Sequence, residues 1–213
     1  MKICGLTKVD EALACARLGA DAIGCVFYPR SPRFVENHLA RAIRDALPDS
    51  VALVGVFANE PFASIMERIK ECGLNKVQLH GSESPELVAR LEKLGVGVIK
   101  TLFVNRRPAL YECARYQASA WLVECGGGKL PGGNALQWDW GLARALSGKG
   151  TPIILAGGLS PENVRIGIKA ALPDAVDVSS GVESKPGRKD LEKVARFIEI
   201  VKSLEITGTR RVF

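Results

Sequence analysis

The chain predicts a parallel α/β fold, a (β/α)8 TIM barrel in a single domain. Three observations carry that prediction. Eight short, β-branched apolar runs alternate with eight segments of helical period. Runs such as "VALVGVF" and "TPIILAGG" are apolar throughout, as strands covered on both faces are. No linker or low-complexity stretch divides the 213 residues, so 1–213 read as one barrel domain with a tail from about 206. An open doubly wound sheet is the other fold this alternation allows, and the count of eight favours the barrel.

The expected strands are 2–4, 21–26, 51–57, 76–79, 96–103, 118–124, 152–156 and 175–178. The expected helices between and after them are 9–18, 36–47, 61–72, 85–94, 108–116, 138–146, 161–171 and 191–204. Pro61, Pro85 and Pro161 sit where a first helical turn accepts proline. Thr7, Ser84 and Ser160 stand at N-cap positions. Gly19, Gly73 and Gly95 follow helices as C-terminal caps do.

Composition narrows the function classes. With 47% hydrophobic and 24% charged residues, the chain has the make-up of an ordinary soluble domain. It has no apolar run of bilayer length and no charged-then-apolar leader, which predicts an unprocessed cytoplasmic protein with no membrane partner. The net charge is +6, but Lys and Arg are dispersed and cluster only in "TGTRRVF". That pattern argues against nucleic acid and suits a solvated surface around a small anionic ligand. Six cysteines (4, 15, 25, 72, 113 and 125) form no CxxC pair and have no nearby His. Neither a zinc site nor a disulfide framework is expected, and most of these thiols read as small buried hydrophobes.

In such a barrel the active site lies at the C-terminal ends of the strands. Those ends carry Cys4 after strand one, "FYPRSPRFV" with Arg33 after strand two, His80 after strand four and Glu124 after strand six. "AGGLSPEN" and "VDVSSGVE" follow strands seven and eight. Gly157, Gly158, Ser180 and Gly181 in these last loops offer backbone N–H groups to an anion, the usual place for a barrel phosphate site. A thiol at a strand exit acts as a base when positive charge lowers its pKa; otherwise it is a buried hydrophobe. Arg33 is either a bidentate carboxylate anchor or a solvated loop arginine. His80 reads first as a hydrogen-bonded structural histidine.

Together "KICGLT" (2–7), "FYPRSPRFV" (27–35), "VGVF" (54–57), "VQLHG" (77–81), "ILAGGLSPENV" (154–164) and "VDVSSGVE" (176–183) resemble the phosphoribosylanthranilate isomerases, in order and over nearly the whole chain. The resemblance implies the Amadori rearrangement of N-(5-phosphoribosyl)anthranilate to 1-(2-carboxyphenylamino)-1-deoxyribulose 5-phosphate in tryptophan biosynthesis. It implies no cofactor and no metal, and a monomer or homodimer acting on a small phosphorylated substrate. It makes Cys4 the general base and Arg33 the binder of the anthranilate carboxylate. It places the general acid at the end of strand six, where this chain has Glu124. It draws phosphate groups from the loops after strands six, seven and eight: Gly133, Gly157, Gly158, Ser180 and Gly181. Asp177, at the end of strand eight, faces the ligand as well and is the alternative acid.

The chain departs from the family pattern at one place. The family acid is an aspartate, and the loop after it usually reads glycine-glycine-X-glycine; here the acid position is Glu124 and that part of the loop reads "GGNALQWDW" (132–140), with Ala135 at the last glycine. Glutamate is longer by one C–C bond, about 1.5 Å, and a reacting group misplaced by about 1 Å costs on the order of a hundredfold in rate. Two other readings therefore stand beside the isomerase: a paralogue acting on a related phosphorylated aminosugar, and a non-catalytic barrel that binds phosphorylated ligands.

Overall fold

A computed structural model of the chain describes residues 1–127, 137–204 and 212–213. Eight parallel strands close into a barrel in chain order. They are β1 Lys2–Cys4, β2 Ala22–Val26, β3 Ala52–Phe57, β4 Lys76–Leu79, β5 Gly97–Phe103, β6 Ala120–Glu124, β7 Ile153–Leu155 and β8 Ala175–Val178. β1 pairs with β8, Lys2 opposite Asp177 and Ile3 opposite Val178, so the sheet is not an open doubly wound one.

The helices packed outside are α1 Val9–Leu18, α2 Asn37–Ala46, α3 Phe62–Cys72, α4 Pro85–Lys93, α5 Val164–Ala171 and α6 Leu191–Lys202. The helices expected at 108–116 and 138–146 are instead 3-10 segments, Leu110–Arg115 and Trp140–Leu146. Both are short, as 3-10 segments usually are, and Gly141 in the first turn of the second is a poor helix former.

Caps divide in the same way. Ser84 Oγ accepts from Leu87 N at 3.3 Å, as an N-cap should. Thr7 is not a cap: its hydroxyl donates to Gly187 O at 2.6 Å, and Lys8 occupies the cap position of α1. Ser160 binds Glu162 N at 3.3 Å one turn before α5, whose cap position is Asn163. Gly19 (φ 107°) and Gly73 (φ 66°) end α1 and α3 in the left-handed conformation.

Pleating sorts the strand residues into two shells. Ile3, Ile23, Leu53, Val77, Leu79, Leu102, Val123, Leu155 and Val176 point outward and pack under the helices. Ala22, Val54, Ile99, Ala120, Leu122, Ile154 and Ala175 point inward and fill the barrel, with Val212 and Phe213 packed against them. The inward positions nearer the C-terminal strand ends carry the chemistry. After β8 the chain forms a small hairpin, β9 Glu183–Lys185 and β10 Arg188–Lys189, before α6. Glu11 of α1 anchors that hairpin, accepting from Arg188 Nε at 2.6 Å and Lys189 N at 3.1 Å. Among the described residues no helix is long and apolar enough to cross a membrane.

One buried charge pair fixes the loop after β4. Lys100 Nζ reaches Glu83 Oε2 at 2.7 Å and the carbonyls of Gly81 (2.8 Å) and Leu79 (3.2 Å). Glu83 in turn accepts from the backbone N–H groups of Asn59 and Gly81 at 2.9 Å. Removing one member of such a pair leaves an uncompensated buried charge. Lys100→Met should therefore destabilise the fold by about 3 kcal/mol or more, measured by urea unfolding. A loss below about 1 kcal/mol, the range of an exposed pair, would contradict this role.

Candidate active site

A cavity of about 800 Å³, counted to its open mouth, lies at the C-terminal ends of the barrel strands. Cys4, Arg33, His80, Glu124, Gly157, Gly158, Asp177 and Ser180 all line it. Six strand ends, with residues up to 176 positions apart, thus meet at one place. Gly181 stands immediately behind Ser180, and Gly133 lies outside the described residues.

Cys4 closes β1 and points inward beside Gly24, its partner in β2. A Cβ on residue 24 would stand 2.7 Å from the Cys4 sulfur, so glycine there makes room for the thiol. Lys2, two residues earlier on the same inward face, is wholly buried and binds Asp177 Oδ1 at 2.6 Å. Burial opposes the charge on Lys2, but Asp177 and the Cys4 thiol within its hydrogen-bonding reach hold its pKa above the ordinary lysine value. Burial pushes the Cys4 thiol up, Asp177 adds to that shift, and the ammonium groups of Lys2 and Lys189 pull against it. Asp177 is the counter-charge of Lys2, a partner that sequence reading did not foresee.

Arg33 is buried, in the loop that returns from β2 through the Val26–Phe34 bridge. Gly5 (φ 78°) gives it space, since a Cβ there would meet Arg33 Cδ at 2.4 Å. The guanidinium forms a two-pronged pair with Glu183: Nε to Oε1 at 2.8 Å and Nη2 to Oε2 at 2.7 Å. Lys189 Nζ joins them at 2.7 Å from Glu183 Oε1. Burial raises the Glu183 carboxyl, but Arg33 and Lys189 outweigh it and hold that carboxyl below the usual range. The bidentate edge of Arg33 is thus already taken. Only Nη1 makes no hydrogen bond among the described residues, so a fork-to-fork grip on a ligand carboxylate is not available while Glu183 holds it.

Glu124 ends β6 and is buried in the cavity wall, not solvated in a loop. Its Oε2 lies 2.8 Å from His80 Nε2. On the other side of the ring, His80 Nδ1 meets Gln78 Nε2 at 2.7 Å and Thr101 Oγ1 at 3.1 Å. His80 therefore has a side facing the chemistry, which its position after a buried run did not reveal.

The loops after β7 and β8 form the opposite wall. Gly157 (φ 82°) and Gly158 (φ 71°) both adopt left-handed backbone. The N–H groups of Gly157, Gly158 and Leu159 donate to no acceptor among the described residues. A Cβ at Gly157 would stand 2.9 Å from Glu124 Cγ, and one at Gly181 would stand 1.9 Å from Leu159 O. Trp138 and Trp140 brace this wall, their indole N–H groups donating to Ala156 O (3.0 Å) and Gly157 O (3.1 Å). Asn163 Nδ2 donates to Gly158 O at 2.8 Å. Free amides on a rigid, glycine-lined turn are suited to an anion.

A closed barrel with a thiol and a carboxylate facing an amide-lined anion cradle defines a barrel enzyme for a small phosphorylated ligand. The chain matches the N-(5'phosphoribosyl)anthranilate (PRA) isomerase family over residues 1–200, and it belongs to that family. The N-(5'-phosphoribosyl)anthranilate isomerase of Desulfatibacillum aliphaticivorans is 56% identical over 199 residues, 93% of this chain and 91% of the relative. The crystal structure of phosphoribosyl anthranilate isomerase from Thermotoga maritima has a TM-score of 0.88 at 39% identity, covering 95% of this chain and 98% of that one. A second phosphoribosyl anthranilate isomerase structure, in complex with reduced 1-(o-carboxyphenylamino)-1-deoxyribulose 5-phosphate, has a TM-score of 0.84 at 38% identity, covering 95% and 98% of the two chains.

Two outcomes follow from this geometry. The thiolate absorbance of Cys4 near ultraviolet wavelengths, taken as the difference between the native chain and Cys4→Ser, should develop only above neutral pH. Lys189→Met should move that rise to still higher pH, because it deletes a cation that favours the thiolate; a rise unmoved or displaced downward contradicts the electrostatic role given to Lys189. At Gly181, an added methyl has no space against Leu159 O. Gly181→Ala should weaken inorganic phosphate binding, measured by calorimetry, at least about tenfold, more than 1.4 kcal/mol. Unchanged phosphate affinity would show that the anion binds elsewhere.

Proposed function

We propose that Cys4 and Glu124 are the base and acid of phosphoribosylanthranilate isomerisation in this chain. The observation that carries the reading is their common cavity: a buried thiol and a buried carboxylate share one space with the Gly157 and Gly158 amides, which donate to no acceptor among the described residues. The substrate is anionic at both ends. Its phosphate docks on the wall formed by Gly157, Gly158, Ser180 and Gly181. Its anthranilate carboxylate lies toward Arg33, with Nη1 a donor that no acceptor among the described residues takes up and Glu183 setting the guanidinium plane.

The chemistry is one proton given and one proton taken. Glu124 protonates the furanose ring oxygen, the ring C–O bond breaks, and the anthranilate nitrogen supplies the electron pair that forms the iminium. The Cys4 thiolate then removes the proton from C2, and the electrons of that C–H bond neutralise the iminium to give the enolamine. Tautomerisation yields the ketone, and exchange with water restores both groups. General acid–base assistance of this kind is worth about 10²- to 10⁴-fold per group. Lys2 and Lys189 supply the positive field that a buried thiolate needs, and Asp177 keeps Lys2 in place.

The added methylene of Glu124 is accommodated by the missing side chain at Gly157, whose Cβ would otherwise crowd Glu124 Cγ. This fits a working glutamate in place of the family's aspartate. The test follows loss of the substrate's anthranilate fluorescence. Cys4→Ala and Glu124→Gln should each lower kcat by roughly 10²-fold or more while product affinity, measured by calorimetry, stays within a few-fold. Glu124→Asp should keep measurable turnover. Near-normal turnover in Glu124→Gln or Cys4→Ala overturns the corresponding assignment.

A further inference from the structure

We propose that His80 is a positioning residue for the proton-donating step, its ring fixed in the Nε2–H form by Gln78 and Thr101 so that this N–H receives the carboxylate left on Glu124. The inference rests on the reading of Glu124 as the acid and adds the group that makes Glu124 able to act.

The geometry is specific. Gln78, His80 and Glu124 all point into the barrel and line the cavity, while Thr101 lies beside them on the inward face of β5. Nδ1 of His80 lies 2.7 Å from the Gln78 amide nitrogen and 3.1 Å from the Thr101 hydroxyl. An amide nitrogen can only donate, so Nδ1 accepts from Gln78, and in the neutral ring the proton sits on Nε2. Nε2 stands 2.8 Å from Glu124 Oε2 but is not in line for a hydrogen bond. A small turn of the flexible carboxylate aligns the two, as catalytic hydrogen bonds do when substrate binds. Phe103 packs edge-on against the ring, centroids 5.6 Å apart. Arg106 also projects its charge toward Glu124, and it donates to the His80 carbonyl at 3.3 Å, so it steadies the same strand end.

A histidine buried only for packing has no need of one nitrogen at 2.8 Å from an active-site carboxylate. Here the N–H contributes little to a protonated Glu124 and much to an ionised one. Its contribution therefore grows as the proton leaves, which is when it lowers the barrier. No proton passes through the ring; it binds the charge that Glu124 acquires.

The chain has 2 histidines, so ¹⁵N-histidine labelling gives readily assigned spectra. His80 should show a non-protonated Nδ1 and a protonated Nε2; the reverse pattern, or a ring protonated at both nitrogens near neutral pH, overturns the proposal. In single-turnover kinetics His80→Asn, which has no donor at the Nε2 position, should slow the reaction about tenfold or more with KM within about twofold. His80→Gln restores an N–H there and should recover most of the loss. A His80→Asn rate near that of the native chain, or no recovery in His80→Gln, overturns it. Gln78→Glu leaves His80 and Glu124 untouched but draws the ring proton from Nε2 to Nδ1, a shift the same spectra report, so it serves if the histidine variants fail to fold: a slowed reaction supports the proposal and an unchanged rate overturns it. Glu124→Gln run in parallel separates the two readings. Normal turnover there removes the acid itself, whereas an inactive Glu124→Gln beside an unimpaired His80→Asn removes only the part given to His80.

Discussion

The Lys2–Asp177 ion pair, 2.6 Å long and inside the barrel, joins the first strand to the last. Only two register pairs hold β1 to β8, fewer than at any other seam except its equal between β7 and β8, so the charge pair bridges a short junction. Burying two opposite charges is costly, and a hydrophobic pair in their place is often no less stable. Their retention makes sense on the side of function. Lys2 lies within reach of the Cys4 thiol, and its charge pulls against the burial and the Asp177 charge that together hold that thiol's pKa up. Closure of the fold and preparation of the proposed base are thus one interaction.

A second charge group continues outward from it. Arg33, Glu183 and Lys189 lie around one carboxylate, and Lys189 also donates to Ser179 O at 3.1 Å. That contact ties the β9–β10 hairpin to the loop that carries Ser180. The guanidinium is therefore set rigidly before any ligand arrives, at the expense of the bidentate grip an unpaired arginine would offer. Across the cavity, the indoles of Trp138 and Trp140 and the amide of Asn163 do the same for the Gly157–Gly158 turn. The cavity is pre-formed on both walls, and Cys4 and Glu124 face into it from β1 and β6.

Much of this was legible in the sequence because strand periodicity alone fixes which residues point inward and where each strand ends. That is why Cys4, Glu124, Gly157, Gly158, Asp177 and Ser180 were found as candidates and why they meet. What the sequence hid were partners far apart along the chain. Glu183 is 150 positions from Arg33, and Asp177 is 175 from Lys2, so neither pairing leaves a local signal. His80 reads as structural because it follows a buried run; nothing local shows that its ring meets Gln78 on one side and Glu124 of β6 on the other. The cap expected at Thr7 fails because a tertiary hydrogen bond, Thr7 to Gly187, outcompetes the local one, whereas Ser160 spends its hydroxyl on Glu162 one turn before α5.

The most direct measurement is a crystal structure of this chain with reduced 1-(o-carboxyphenylamino)-1-deoxyribulose 5-phosphate bound. It should place phosphate oxygens within hydrogen-bonding distance of the Gly157, Gly158 and Gly181 amides, the carboxylate beside Arg33, and the sugar carbon chain between the Cys4 sulfur and the Glu124 carboxyl. A phosphate seated away from the loops after β7 and β8, or a sugar lying out of reach of both Cys4 and Glu124, would contradict the proposed site.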